Sequence, residues 1–247
     1  LSGVLLFNRL LWMGVSMAML GLAAVLGTSS CVTAPPTTPI AGGITVPEAL
    51  VSDAPSFAVA HAMVRFRTQM CDGVFTGSGF AIDEHRIITN RHVIGGADII
   101  QAETWDGRLL EVTDSRISPD TDLAVVTVSE PLKDTLDLGD AEPAGGTSID
   151  VVGYPLGNAL RFDEGTALQV INGEDYGNER VVMIDAKVRH GNSGGPIVDA
   201  NGVVVGVVFR YMSGATETGL AIPVTTLKDH LAEDRFVDNP GCEAYLE

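Results

Sequence analysis

Residues 188–196 read Val-Arg-His-Gly-Asn-Ser-Gly-Gly-Pro, three glycines and a proline around one serine. Neither a helix nor a strand tolerates that run in its interior, whereas a backbone without Cβ atoms turns sharply. On either side, residues 180–187 and 196–198 are rich in Val and Ile, the composition of strands. A tight loop between two strands follows. Such a loop can aim successive N–H groups at one point, and the amides of Gly191 and Ser193 are placed to receive a negative oxygen developing beside the Ser193 hydroxyl. Gly194 and Gly195 are expected to leave room for a substrate chain. A serine hydroxyl is a weak nucleophile alone; it requires a histidine to accept its proton and a carboxylate to orient that histidine.

Two upstream segments supply both. Residues 87–93, Ile-Ile-Thr-Asn-Arg-His-Val, set His92 just past a strand-like run, and residues 120–126, Asp-Thr-Asp-Leu-Ala-Val-Val, set Asp122 at the mouth of another. The order His92, Asp122, Ser193 is that of chymotrypsin-type enzymes and not that of subtilisins or α/β-hydrolases. Read blandly, the glycine run is only a turn and His92 only a core histidine. Three motifs in this order, each beside a strand, outweigh that reading. In Thr-Asn-x-His-Val, Thr-Asp-Leu-Ala-Val and Gly-Asn-Ser-Gly-Gly-Pro the chain resembles the bacterial HtrA-type branch of the trypsin-like serine proteases, over residues 59–231. That resemblance implies a serine endopeptidase acting on polypeptides, with His92, Asp122 and Ser193 catalytic and Gly191 and Ser193 forming the oxyanion hole.

The pattern of the chain points to an all-β fold. Ala62, Val64 and Phe66 alternate with Met63, Arg65 and Arg67, the period of a half-buried strand. Runs at 77–82, 86–89, 99–104, 109–117 and 123–128 complete a first set. Beyond the loop at 140–146, runs at 148–153, 159–170, 180–187, 196–198, 203–209 and 219–222 form a second. Asn201-Gly202 between Val-rich runs signals a hairpin, and Leu227 and Leu231, four apart, a short closing helix. Together with the resemblance, this predicts two six-stranded antiparallel β-barrels with the active site in the cleft between them. The first, 59–142, carries His92 and Asp122; the second, 143–247, carries Ser193, the short C-terminal helix and a tail.

Ahead of the barrels, residues 10–27 carry no charge, as in a signal-peptide core or a short membrane span, and 1–30 is read as signal peptide or anchor. Thr28-Ser29-Ser30-Cys31 resembles a lipoprotein processing site, which makes Cys31 a candidate for lipidation. Thr28 stands where an aliphatic residue is usual, so lipidation and a retained anchor both stay open. Residues 31–58 read as a Pro- and Thr-rich linker. An extracytoplasmic domain tethered to a bacterial membrane is expected. With 32 acidic against 15 basic residues the net charge is −17, which argues against a nucleic-acid partner and against electrostatic adhesion to anionic lipid. No metal-ligand spacing, phosphate loop or dinucleotide fingerprint is present, so no cofactor and no metal are predicted. The stretch after Ser193 is too short for the PDZ domain that HtrA proteins usually carry, and no PDZ-mediated partner is expected. The chain is similar here to the membrane-bound, PDZ-less periplasmic proteases of actinobacteria linked to acid resistance.

By the same resemblance, the substrate pocket is lined by Lys187, His190, Asn192, Val207, Val208, Phe209 and Ala221. Lys187 stands where trypsins place an aspartate, which argues against a taste for Lys or Arg and leaves apolar or small residues as the default. Glutamate is the alternative, with Lys187 or Arg189 as its basic group. Asn192 replaces the aspartate that a freed N-terminus pairs with in pancreatic enzymes, so control of that kind is not expected. His190 is either a pH reporter at the oxyanion turn or a plain loop residue. If Cys31 lies in the anchor or tether of an exported protein, Cys71 and Cys242 remain, and a disulfide between them is predicted, the resembled family having a tail cysteine; two free thiols is the other reading. The rival functional class is a catalytically idle peptide-binding or sensor module on the same fold.

Overall fold

The computed structural model describes residues 55–178, 180–212 and 218–245. Cys31, the 1–30 segment and the linker as far as residue 54 lie outside them. Among the described residues no helix is long and apolar enough to cross a membrane.

The described chain is mostly β, in two sheets. A helix α1 (Pro55–Ala62) leads into β1 (Met63–Met70), β2 (Gly73–Ala81), β3 (Arg86–Thr89), the one-turn helix α2 (Arg91–Ile94), β4 (Ile99–Thr104), β5 (Leu109–Leu110), β6 (Val112–Ile117) and β7 (Ala124–Val128). Then follow β8 (Ser148–Gly153), β9 (Arg161–Asn172), β10 (Arg180–Ala186), β11 (Pro196–Val198), β12 (Val204–Met212), β13 (Thr218–Pro223), α3 (Val224–Ala232), β14 (Val237–Asp238) and α4 (Cys242–Tyr245). Strands β8 to β13 close into a six-stranded barrel of order β10-β13-β12-β11-β8-β9. The first half is a curled sheet of eight strands, β14-β6-β7-β3-β2-β1-β4-β5, whose hydrogen bonds do not close a ring. Its extra members come from the expected run 109–117, which changes partner at Glu111, β5 pairing with β4 and β6 with β7, and from the tail, whose β14 pairs with β6. The architecture is the chymotrypsin-like one, as a barrel and a half-barrel.

Each half has its own interior. Phe66, Ile87, Val126 and Ala102 fill the first and Ile149, Val182, Ile184 and Ile197 the second, while a third cluster, with Met63, Phe80, Ile88, Val152, Tyr154 and Val207, joins the halves. That third cluster alters one expectation. Strand β1 is buried on both faces, and Arg65, on the face expected to be solvated, is only 5% exposed because the barrel packs over it.

Candidate active site

His92 is the second residue of α2, whose N-cap Asn90 directly follows β3. Four residues cannot hold a helix by themselves, and side chains fix this turn. Arg91 donates to the carbonyls of Ser118 and Pro119 at 3.0 and 2.9 Å, and the Asn90 amide donates to the Asp122 carbonyl at 2.8 Å. The loop so gripped delivers Asp122, whose own N–H donates to Asn178 Oδ1 at 3.0 Å. Both carboxylate oxygens of Asp122 then serve His92. Oδ1 accepts its backbone N–H at 2.9 Å and Oδ2 meets ring Nδ1 at 2.6 Å. A carboxylate only accepts, so Nδ1 carries a proton, and in the neutral ring the lone pair is then on Nε2. Asp122 is largely covered while half of His92 stays open to the cleft.

Ser193 lies on the turn between β10 and β11, and Ser78 of β2 pins that turn. The Ser78 N–H donates to the Ser193 carbonyl at 2.8 Å, and its hydroxyl donates to the Gly191 carbonyl at 2.6 Å while accepting the Tyr154 N–H at 2.9 Å. Gly191 and Gly194 have φ of +92° and +83°. A Cβ at Gly194 would strike the Ser78 carbonyl and the Thr89 hydroxyl, and one at Gly191 the Tyr154 carbonyl, so Gly194 admits the neighbouring sheet and Gly191 the turn after β8 of its own barrel. Gly195 likewise abuts the Val152 carbonyl. Gly194 and Gly195 are thus not open to a substrate chain as expected; both are buried.

The amides of Gly191 and Ser193 donate to no group among the described residues. Planar trans peptides set their direction. The His190 carbonyl accepts the Leu156 N–H at 2.6 Å and the Asn192 carbonyl accepts the Gly195 N–H at 2.9 Å. Each following N–H, on Gly191 and on Ser193, therefore points the opposite way from an anchored carbonyl. Ser193 Oγ makes no hydrogen bond among the described residues and shares with His92 and Asp122 an open cleft of about 890 Å³.

The cleft wall differs from the expected pocket. His190 and Phe209 line it, beside Val188, Arg189, Arg210 and Tyr211. His190 sets its ring edge-on to Tyr211, with Nε2 3.2 Å from the phenol oxygen. Lys187 is exposed and off the lining, while Val207, Val208 and Ala221 are fully buried in the interior. Asn192 is also fully buried; its Oδ1 accepts the Arg189 N–H at 3.0 Å, which makes it a brace inside the turn. Of the seven expected residues, His190 and Phe209 line this cleft; Val207, Val208 and Ala221 lie in the barrel interior, Lys187 faces solvent and Asn192 sits inside the turn. Sequence reading also passed over Ser78, Asn178, Arg65 and Leu156. Only Ser78 had a signal, lying in Gly77-Ser78-Gly79-Phe80, where glycines in a strand mark close backbone approach.

The Cys71 and Cys242 Cα atoms are 5.5 Å apart with their sulfurs facing, the spacing of a disulfide. Among the described residues no group of His, Cys, Asp and Glu is arranged to hold a metal.

A family model for the trypsin-like peptidase domain matches residues 77–207. The chain belongs to that family. Serine protease Rv3671c of Mycobacterium tuberculosis (strain ATCC 25618 / H37Rv) is 32% identical over 196 residues, 75% of this chain and 49% of that protein. A probable periplasmic serine endoprotease, DegP-like, of Bartonella henselae is 36% identical over 161 residues, 62% of this chain and 32% of its own. Among solved structures, the active form of the Rv3671c protease from M. tuberculosis matches with a TM-score of 0.69 at 28% identity, covering 85% of this chain and 96% of that one. The HtrA-type protease AlgW with tripeptide matches at 0.64 and 27% identity, over 73% of this chain and 63% of that one. The chain spans about half the length, or less, of these curated relatives.

Proposed function

We propose that this domain is a serine endopeptidase that hydrolyses peptide bonds of extracytoplasmic proteins. Ser193 Oγ attacks the scissile carbonyl, His92 Nε2 takes its proton and returns it to the leaving amine, and Asp122 holds the ring in that tautomer and stabilises the imidazolium. The amides of Gly191 and Ser193 receive the oxyanion. The observation that carries this reading is the 2.6 Å His92–Asp122 pair lining one cleft with Ser193, in a turn whose Gly191 and Ser193 amides donate to no group among the described residues. Casein or peptide hydrolysis tests it. Activity is expected to vanish in Ser193→Ala and His92→Ala with circular dichroism unchanged; equal rates in the unmodified chain and Ser193→Ala would remove the assignment.

A preference for acidic residues beside the scissile bond is a second reading. Arg189 and Arg210 line the cleft wall, and among the described residues neither guanidinium has an acid partner, in a chain of net charge −17. Val188 and Phe209 on the same wall favour the apolar alternative. Profiling with a peptide library separates the two, a gain for Glu or Asp that is lost in Arg189→Ala supporting the first.

The extracytoplasmic setting draws support from the names of periplasmic relatives and from the facing Cys71 and Cys242, a pair suited to an oxidising compartment. Membrane attachment through acylated Cys31, or through residues 10–27 retained as an anchor, completes the proposal. Intact mass decides between them: Cys31 acylation predicts a lipid-bearing N-terminus and release from membranes in Cys31→Ser.

A further inference from the structure

The Gly191 N–H points away from the His190 carbonyl of the same peptide, and the group that holds that carbonyl is the Leu156 N–H at 2.6 Å. Leu156 sits in a one-turn segment, Pro155–Gly157, at φ 58° and ψ 21°. Side chains with a Cβ oppose that left-handed conformation, so the turn needs outside support at both ends. The Tyr154 N–H is taken by Ser78 Oγ at 2.9 Å, and the Gly157 carbonyl accepts from Arg65 Nη1 at 3.1 Å. Arg65 and Ser78 belong to the other sheet. In register Arg65 lies between Ser78 on β2 and Glu103 on β4, so three neighbouring positions of one sheet face this turn of the barrel.

Arg65 is suited to more than filling that interface. It is 5% exposed, its Nη2 donates to Glu103 Oε2 at 2.7 Å, and its guanidinium carbon stands 5.9 Å from the centre of the Tyr154 ring. A buried ion pair adds little net stability, because desolvation of both charges offsets their attraction. What a planar guanidinium adds is direction: one nitrogen is fixed on the carboxylate while the other points at the carbonyl, an arrangement that a lysine's single ammonium cannot reproduce in the same geometry.

We infer that Arg65, braced by Glu103, is a positioning residue for the oxyanion hole: it holds the Gly157 carbonyl, and through it the Leu156 N–H, so that the Gly191 amide stays turned toward the reacting carbonyl. The inference rests on the protease reading above. It assigns to the interface between sheets a part in the chemical step, with no contact to substrate.

The test uses the full chain with Arg65→Lys and the double variant Arg65→Met/Glu103→Leu, which leaves no orphaned buried charge; folding is checked by near-UV circular dichroism and thermal melting. Two quantities are read, the split between kcat and KM on a peptide, and the affinity of a peptide boronic acid, whose tetrahedral adduct needs the hole. In the double variant kcat should fall by about 10- to 100-fold, toward the loss seen when one oxyanion donor is removed, with KM within about threefold and boronate affinity falling in step. Arg65→Lys should fall between. A folded double variant with unchanged kcat and unchanged boronate affinity overturns the inference, as does a rise in KM alone. If the unmodified chain neither hydrolyses peptide nor is labelled by a fluorophosphonate at Ser193, the protease reading fails and the relay with it. Normal activity with indifferent variants removes the relay alone.

Discussion

Ser78 gives its backbone N–H to Ser193, and its hydroxyl donates to Gly191 while accepting the Tyr154 N–H, so one residue of β2 ties the Ser193 turn to Tyr154 and to the open sheet. Ser78→Ala leaves a buried carbonyl and a buried amide unpaired, each worth about 1–3 kcal/mol. The expected outcome is a lower urea midpoint together with a lower kcat. At Asp122 the charge matters more than the shape. Asp122→Asn keeps the size of the side chain but gives His92 a partner that can also donate, and kcat should drop by about 10⁴-fold with the fold intact; a drop of less than about tenfold would separate Asp122 from the mechanism. His92, Asp122 and Ser193, which line one cleft, could be proposed from the sequence because each sits in a short local motif beside its strand. Arg65, Ser78 and Leu156 could not. Their roles arise only when the two sheets dock, and nothing within ten residues of Arg65 records that Gly157 will lie against it.

The last segment of the chain is an element with little local signal and a specific job. Strand β14 is two exposed residues and α4 is four, yet Asn239 donates to the Ile94 carbonyl and accepts the Gly96 N–H at the end of the helix that carries His92. Cys242 N–H donates to Asp98, and Tyr245 packs over Gly95 and Gly96. Most strands, by contrast, could be read from β-branched runs and turn residues to within a few residues. A Cys71–Cys242 bridge would clamp this tail beside α2 across a separation of 171 residues, for which the chain-entropy model gives about 5 kcal/mol as an upper figure. Cys242→Ser should therefore lower the melting temperature and slow hydrolysis. Non-reducing peptide mapping that finds both thiols alkylatable without reduction would remove the bridge and that prediction.

At the scale of the whole molecule, acidity shapes how the fold meets low pH. Hydrogen bonds from the hydroxyls of Thr104 and Ser118 hold Asp106 and Asp120 below the ordinary aspartate value of 3.8. A carboxylate lowered in the folded state stabilises it above 3.8, and that share is lost as pH falls through 3.8 toward the lower folded value. Asp150, pushed up by burial and by the charge of Glu164, works in the opposite sense and regains stability on protonation. The urea midpoint of Asp120→Asn should accordingly lie below that of the unmodified chain at pH 7, with the gap closing below pH 3.8; a gap that is constant with pH would contradict this. Both halves must also meet correctly for chemistry, since His92 and Asp122 come from the open sheet and Ser193 from the closed barrel. Labelling with a fluorophosphonate, followed by mass spectrometry of the adduct, tests that meeting most directly. The account predicts rapid, single-site modification of Ser193 in the full chain and none in His92→Ala, whereas no modification of Ser193, or equal modification without His92, would contradict it.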